Sequence, residues 1–478
     1  MVFSSITFIL WFLPIFLIIY YIIPSDTKYG MTLKNTVLLV GSLIFYAYGE
    51  PLYVFLMIAS IVFNYYMAGR IDYYSGWDKM AGRRKLIFVL TMIFNIGLLF
   101  FFKYADFLIC NINLILARFG GPAIPMVGLE MPIGISFYTF QILSYVVDVY
   151  YARYEAETDV IRLGTYIAMF PQLIAGPIVK YTEVKKRLSY RFVTAKSFNR
   201  GLRVFIYGLG AKVIIANHIG ALWTEIGRIG YESISTKLAW IGAFAYSFQI
   251  YFDFWGYSLM AIGLGIMLGF RIPKNFDNPY ISKSATEFWR RWHMTLGRWF
   301  KEYLYIPLGG NREGKAKLIR NTFIVWLLTG LWHGADWNFV IWGLGFFVLI
   351  MLEKLFLKKY LDKLHVLPHL YMWFIIPISW VVFAISDLRQ LGIYMTRLFP
   401  FIKGNYDSNV NPNDYINHGK PYLIFFVLAI IFCIPKKKRE LIFLKNSVVG
   451  VVAPIIVFII SMYYLSLGLD NPFMYYRF

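Results

Sequence analysis

The feature that most constrains this chain is an alternation of apolar runs long enough to cross a membrane with short loops in which the basic residues collect. Spanning a bilayer takes about 20 consecutive apolar residues in a helix, and runs of that kind begin at residues 6–23 and recur to 449–467. Between them stand compact basic clusters such as Arg83, Arg84 and Lys85, then Lys185, Lys186 and Arg187, then 436–439. Composition agrees. Hydrophobic residues make up 59% and charged residues 15%, against about 45–50% and about 25% in a soluble chain. The fold class is therefore all-α: a polytopic integral membrane protein. With no Pro/Ser-rich linker or charge block to divide it, residues 1–478 read as one integral domain whose motif-bearing core is 131–355. The net charge of +21 lies in loops between spans, which is the positive-inside pattern and not a nucleic-acid surface. Cys110 and Cys433 are far apart in apolar surroundings and read as buried small hydrophobes, with neither a disulfide framework nor a metal site.

The charge rule orders the spans. The first run, 6–23, lacks a basic segment before it and a cleavage site after it, and reads as a retained helix. Lys28 and Lys34 follow it, which puts the N-terminus outside the cytoplasm. Spans at 36–48, 52–67 and 86–101 alternate from there; 103–129 is a mixed outer segment, and 132–150 returns. The stretch 161–179 is flanked by basic loops and broken by Pro171, Gly176 and Pro177, so it reads as re-entrant, a form tolerated only where buried. Runs at 205–223 and 239–270, a cytoplasmic or interfacial stretch 271–320, and spans near 371–386, 423–434 and 449–467 complete ten or eleven crossings or half-crossings. The C-terminus is also expected outside.

Two histidines stand out against this background. Residues 321–354 have Arg320 before them and Lys354, Lys358 and Lys359 after them, so the chain enters and returns to the same side with Trp332, His333 and Gly334 in the middle. An arm of about 12 residues rises about 18 Å, which places His333 within a core about 30 Å thick. An ionisable group at such depth is functional by default, and a desolvated neutral imidazole is what a general base requires. The plain alternative is a neutral histidine bonded to a neighbouring helix. His293 lies in a segment that Ser284 and Glu287 open as a capping box. Phe288, Trp289, Trp292, Leu296, Trp299, Phe300 and Tyr303 then recur at spacings of three and four, which predicts one continuous basic amphipathic helix at the membrane surface with His293 pointing inward.

Other signals are weaker. No nucleophile elbow and no paired-histidine metal motif is present, so neither metal nor permanently bound cofactor is expected. Gly265 and Gly269 read as close helix packing. Asp148 and Asp253 would each orient a histidine, line a polar tunnel, or serve as a structural partner. The candidate substrate-binding set is Gln249, Asp253, Trp289, Trp332, Arg290 and Arg291, the last two able to attract phosphates or anionic lipid.

Several stretches then carry a resemblance: 1–5 (MVFSS), 132–141 (PIGISFYTFQ), 170–178 (FPQLIAGPI), 249–254 (QIYFDF), 288–293 (FWRRWH), 303–312 (YLYIPLGGNR) and 330–335 (GLWHGA). Together they resemble the membrane-bound O-acyltransferase family, and within it the alginate O-acetyltransferase membrane-subunit group. The resemblance implies helices around a central tunnel in a bacterial inner membrane. His333 matches the family's catalytic histidine and His293 its second active-site position. It also implies a cytoplasmic thioester donor such as acetyl-CoA or an acyl carrier, a polysaccharide acceptor, and an extracytoplasmic acetyltransferase as partner. Trp255 and Leu259 stand where such relatives often carry serine and aspartate, and the Leu259 form is similar to the D-alanine transfer proteins of teichoic acids. The residues alone leave two other classes open: a transporter, which buried ionisable groups and interrupted spans also suit, and a membrane anchor for a polysaccharide synthase with both histidines dispensable.

Overall fold

The computed structural model describes residues 1–27, 29–402, 410–435, 448–468 and 474; Lys28, the basic run 436–439 and the C-terminal residues beyond 474 lie outside them. Among the described residues all regular structure is helical, and nine helices are long and apolar enough to cross a membrane. The protein is a multi-pass membrane protein. Its backbone forms two compact units, residues 1–202 with 261–273 and residues 203–260 with 274–478.

The first unit holds α1 (Phe8–Ile22), α2 (Gly30–Ala47), α3 (Tyr53–Tyr73), α4 (Ala81–Arg118), α5 (Ile135–Tyr150), α6 (Val160–Ala168) and α7 (Tyr181–Ser189). Phe8, Phe12 and Phe16 recur every fourth residue along α1, and all three rings pack against Phe170. Asn64 of α3 and Asn95 of α4 are buried and exchange amide hydrogen bonds at 3.0 and 2.8 Å, so neither polar group is left unsatisfied. The span expected at 86–101 runs on to Arg118 as one helix, so much of 103–129 is helical. A lysine does not end a helix that can shelter it, and Lys103 lies 3.4 Å from the Ser136 hydroxyl of α5. On α4, Cys110 is exposed, against expectation, while Cys433 is buried.

The interruption expected within 161–179 is present. Helix α6 stops at Met169, a single turn covers Phe170–Leu173, and residues 163–179 are buried throughout. Buried backbone needs partners. The Tyr166 hydroxyl donates to Val179 O at 3.0 Å, and Phe170 N donates to the Ser42 hydroxyl at 3.0 Å. Asp148, at the end of α5, pairs with Arg153 at 2.6 Å and so has a structural partner of its own.

Two long helices follow, α8 (Ala195–Ile229) and α9 (Thr236–Met267); residues 195–202 and 261–267 belong to the first unit and the rest to the second. Gly265 and Gly269 do not form the expected packing pair. Gly269 has a φ of +85° and ends α9, with Phe270 N donating to Gly265 O at 2.8 Å, the pattern of a Schellman cap. Close approach falls to other glycines: a Cβ on Gly256 of α9 would meet Gly208 O of α8 at 2.7 Å.

The second unit continues with α10 (Ala285–Arg291), α11 (Met294–Phe300), α12 (Lys315–His333), α13 (Trp337–Leu361), α14 (Leu367–Ala384), α15 (Leu388–Leu398), α16 (Asp414–Cys433) and α17 (Val448–Ser466). Helices α12 and α13 form the expected hairpin, turning at residues 334–336. Gly330 and Gly343 let the arms touch at the backbone: a Cβ on Gly330 would meet Phe339 O at 2.4 Å, and one on Gly343 would meet Trp326 O at 2.5 Å.

Candidate active site

His333 is the last residue of α12 and only 3% exposed. Its ring lies against Trp332, Trp342 and Phe383 at centroid distances of 5.0, 5.1 and 5.2 Å, each edge-on. The hairpin tip is fixed from two sides. A Cβ on Gly334 would strike the Phe339 ring at 2.0 Å, and the Asn338 amide donates to Phe383 O at 2.9 Å. Imidazole and aromatic wall are thereby held by the same turn.

The segment carrying His293 departs from expectation. Ser284 does cap α10, accepting from Glu287 N at 3.1 Å, but Glu287 turns its carboxylate to Lys283 N at 2.9 Å instead of Ser284 N. The single helix predicted through Tyr303 breaks at Trp292 and His293. Trp292 is extended, and His293 takes a left-handed backbone with φ +44° and ψ +52° before α11 restarts. Such a φ is uncommon outside glycine, and here Asn275 supplies what the lost helical bonds would have given. Its backbone O accepts from Met294 N at 2.9 Å, and its side-chain Oδ1 accepts from Thr295 N at 3.3 Å and the Thr295 hydroxyl at 2.9 Å. Asp277 N donates to Arg291 O at 2.9 Å on the other side of the break.

That network also fixes the chemistry of His293. Thr295 N can only donate, so the Asn275 atom facing it is the oxygen, and His293 Nδ1, 3.1 Å from the same atom, must carry its proton toward it. Nε2 then carries the lone pair and can only accept a hydrogen bond. His293 is 1% exposed, and burial pushes its pKa down to about 3, so the ring is neutral at ordinary pH. Phe254 of α9 stands edge-on to it at 4.7 Å, and Ser258, one turn along α9, accepts from the Asn275 amide at 3.3 Å.

Both imidazoles flank Trp332, the His293 ring at 5.9 Å and the His333 ring at 5.0 Å from it. Trp289 is one step removed, packed on Trp342 at 5.3 Å and Trp326 at 5.1 Å. Arg290 is exposed, whereas Arg291 is engaged with Glu287 at 2.9 Å and Asp277 at 3.6 Å. Asp253 and Gln249 sit on the face of α9 turned to α8. Asp253 makes a buried ion pair with Lys212 at 2.7 Å and accepts from Met474 N at 3.0 Å. Gln249 lies across Gly220, and its Oε1 is buried with no hydrogen-bond partner among the described residues. Among the described residues no cluster of His, Cys, Asp and Glu is arranged to hold a metal.

Three residues of this region escaped the sequence reading. Asn275 sits in a polar loop with no spacing to mark it. Lys212 is one lysine in an apolar run, placed where α8 winds as a π-helix over Ala211–Ala216, and such irregularities collect at functional positions. Glu353 stands next to the basic residues that close the hairpin, yet it is 2% exposed and caps α10, accepting from Ala285 N at 2.6 Å and Thr286 N at 3.1 Å.

A polytopic helical protein with two buried histidines around one indole defines a class, and comparison with known proteins places this chain in it. The sequence profile of the membrane-bound O-acyltransferase family matches residues 71–386, and the chain belongs to that family. It is 39% identical over 402 residues to the protein named Probable alginate O-acetylase AlgI in Pseudomonas aeruginosa, covering 84% of this chain and 75% of that one. It is 34% identical over 422 residues to the peptidoglycan O-acetyltransferase of Helicobacter pylori, covering 82% and 78%. A teichoic acid D-alanyltransferase of Bacillus subtilis is 29% identical over 248 residues, covering 49% and 62%. The protein is thus an O-acyltransferase, which removes the transporter and the inert anchor as readings of the chain as a whole.

Proposed function

We propose that this protein takes an acyl group, acetyl in the first instance, from a cytoplasmic thioester such as acetyl-CoA or an acylated carrier and passes it toward hydroxyls of an exported polysaccharide or cell-wall glycan. Its membrane is the bacterial inner membrane with both termini on the far side, and a separate extracytoplasmic acetyltransferase completes the delivery. Relatives carry names for alginate, peptidoglycan and teichoic acid, which supports this class of acceptor.

The observation that carries the reading is the pair of buried imidazoles on either side of Trp332. His333 removes the proton from the attacking hydroxyl as its oxygen bonds to the thioester carbonyl carbon. The C–S bond then breaks, and the departing thiolate takes the proton back from the imidazolium, leaving ester and thiol. Base catalysis of this kind contributes about 10²–10⁴-fold. His293, neutral and held through Nδ1, presents Nε2 as an acceptor on the other side of Trp332, suited to a hydroxyl of the acceptor or an amide N–H of the donor. Arg290, being exposed, is available to donor phosphates; Arg291 serves the Glu287 and Asp277 network first.

The test uses the purified chain in nanodiscs with acetyl-labelled acetyl-CoA, with and without the partner, comparing the parent with His333→Ala and His293→Ala. CoA release lost in His333→Ala at unchanged melting temperature is the expected result. Release equal in all three proteins above background would remove His333 as the base.

A further inference from the structure

A second site lies in the first unit, which contains neither His293 nor His333. A cavity of about 210 Å³, several times the about 30 Å³ of a liquid water, is walled by Tyr20, Tyr21, Ser25, Lys34, Arg191 and Phe192. Two of these carry positive charge and are nearly sealed from solvent, Lys34 at 6% and Arg191 at 1% exposure. Among the described residues neither makes an ion pair with a carboxylate, and the charge that Lys34 feels most is Arg191 itself. Buried like charges without a counterion cost several kcal/mol, so a chain keeping both has a use for them.

Their protein contacts are neutral and incomplete. Lys34 Nζ donates to the Ser25 hydroxyl at 2.6 Å and faces the Tyr20 ring at 5.0 Å, which leaves ammonium hydrogens for a further acceptor. Arg191 Nε donates to the Tyr20 hydroxyl at 2.7 Å, and Nη1 donates to Asn35 Oδ1 at 2.6 Å and Arg187 O at 3.1 Å. Its guanidinium lies 4.7 Å from the Phe270 ring centre, and Nη2 is buried with no acceptor among the described residues. The pocket is therefore built, rigid and electropositive. Beside it the surface turns apolar: Ile22, between the lining residues Tyr21 and Ile23, is 75% exposed, and Phe192 is 64% exposed.

We infer that this pocket binds the phosphate ester of an anionic membrane lipid, with Lys34 and Arg191 facing the phosphate and the lipid's chains running along the exposed side chains of α1. A free phosphate offers the same charge and has no use for the apolar margin. Lys and Arg near a membrane surface favour anionic lipid, and here their enclosure strengthens the attraction.

Delipidated full-length protein in detergent would be titrated with phosphatidylglycerol, phosphatidylcholine and inorganic phosphate, read by native mass spectrometry and thermal shift. The parent should prefer phosphatidylglycerol over phosphatidylcholine by about tenfold or more. Lys34→Gln should weaken phosphatidylglycerol about tenfold, and Lys34→Arg should restore it. Phe192→Asp sets a carboxylate at the mouth on an exposed position that the fold does not need, and should weaken it as well, so the idea survives a failure of Lys34→Gln to fold. Equal binding of the two lipids, or phosphatidylglycerol binding unchanged in both charge-altering variants, would overturn the site. Inorganic phosphate binding as tightly as phosphatidylglycerol would overturn its assignment to lipid.

Discussion

Acid should destabilise this protein through His293, and a single substitution should remove that part of the loss. The imidazole has a pKa of about 3 in the folded chain against an ordinary value of 6.5, with burial as the cause. Between those values the unfolded chain binds the proton and the folded chain does not, so stability falls as pH falls through that window. Integrated from pH 7.5 to pH 5.0, one such group contributes roughly 2 kcal/mol. Over a chain of 478 residues that corresponds to about 2 °C in melting temperature. The variant is His293→Asn, because asparagine accepts the left-handed backbone that His293 adopts and its amide still reaches Asn275. Melting curves of parent and variant at the two pH values give a double difference in which all other groups, Asp277 included, cancel. The parent should lose about 2 °C more than the variant on acidification. Equal losses would mean that His293 is not held neutral by burial, and the role assigned to it would fall with that.

Two further predictions follow from buried charges. Lys212→Met and Asp253→Leu should each cost about 3–5 kcal/mol, because each leaves one buried charge alone, while the double variant should recover most of the loss; a denaturant midpoint for all four proteins measures the coupling, and additive losses would mean that the pair is not acting as one. Glu353→Ala leaves Ala285 N and Thr286 N at the start of α10 without their acceptor, although Ser284 still caps Glu287 N, and should cost about 1–3 kcal/mol. Because α10 ends at the break that seats His293, CoA release should fall with it; a lowered melting temperature at full turnover would confine Glu353 to stability.

The hairpin was legible in the sequence and the break at His293 was not, for a reason that lies in what periodicity measures. Charge at both ends of 321–354 prescribes an entry and a return whatever the helices touch, and Gly330 and Gly343 fall where the arms cross. Aromatic spacing across 288–300 reports only which side chains turn toward the core. Phe288, Trp292, Leu296 and Phe300 are indeed buried, and they remain so on either side of a left-handed residue. What breaks the helix is Asn275, which comes from a loop with no regular pattern and acts by offering hydrogen-bond acceptors that sequence spacing does not encode. The same limit applies to Asp253. Its pattern on α9 allowed a tunnel residue or a structural partner, and only the π-helical stretch of α8 that carries Lys212 decides what it meets. Lys103 shows the converse: read as marking the end of a helix, it is accommodated inside one.

The two histidines stand at opposite kinds of helix end, and this gives a physical basis for assigning them different work. His333 closes α12, a helix of 19 residues, where the unpaired carbonyls carry partial negative charge. A cation forming there gains about 0.3–1 kcal/mol, and up to about 2 where water is partly excluded. An imidazole that must briefly hold the hydroxyl proton benefits in that position, since the gain appears only when the charge does. His293 instead precedes α11, and its Nδ1 proton is already committed to Asn275. Taking a second proton there would place a charge in a dry pocket. The proposed assignment therefore gives the moving proton to His333 and leaves His293, whose Nε2 can only accept a hydrogen bond, to position an N–H or O–H of a substrate.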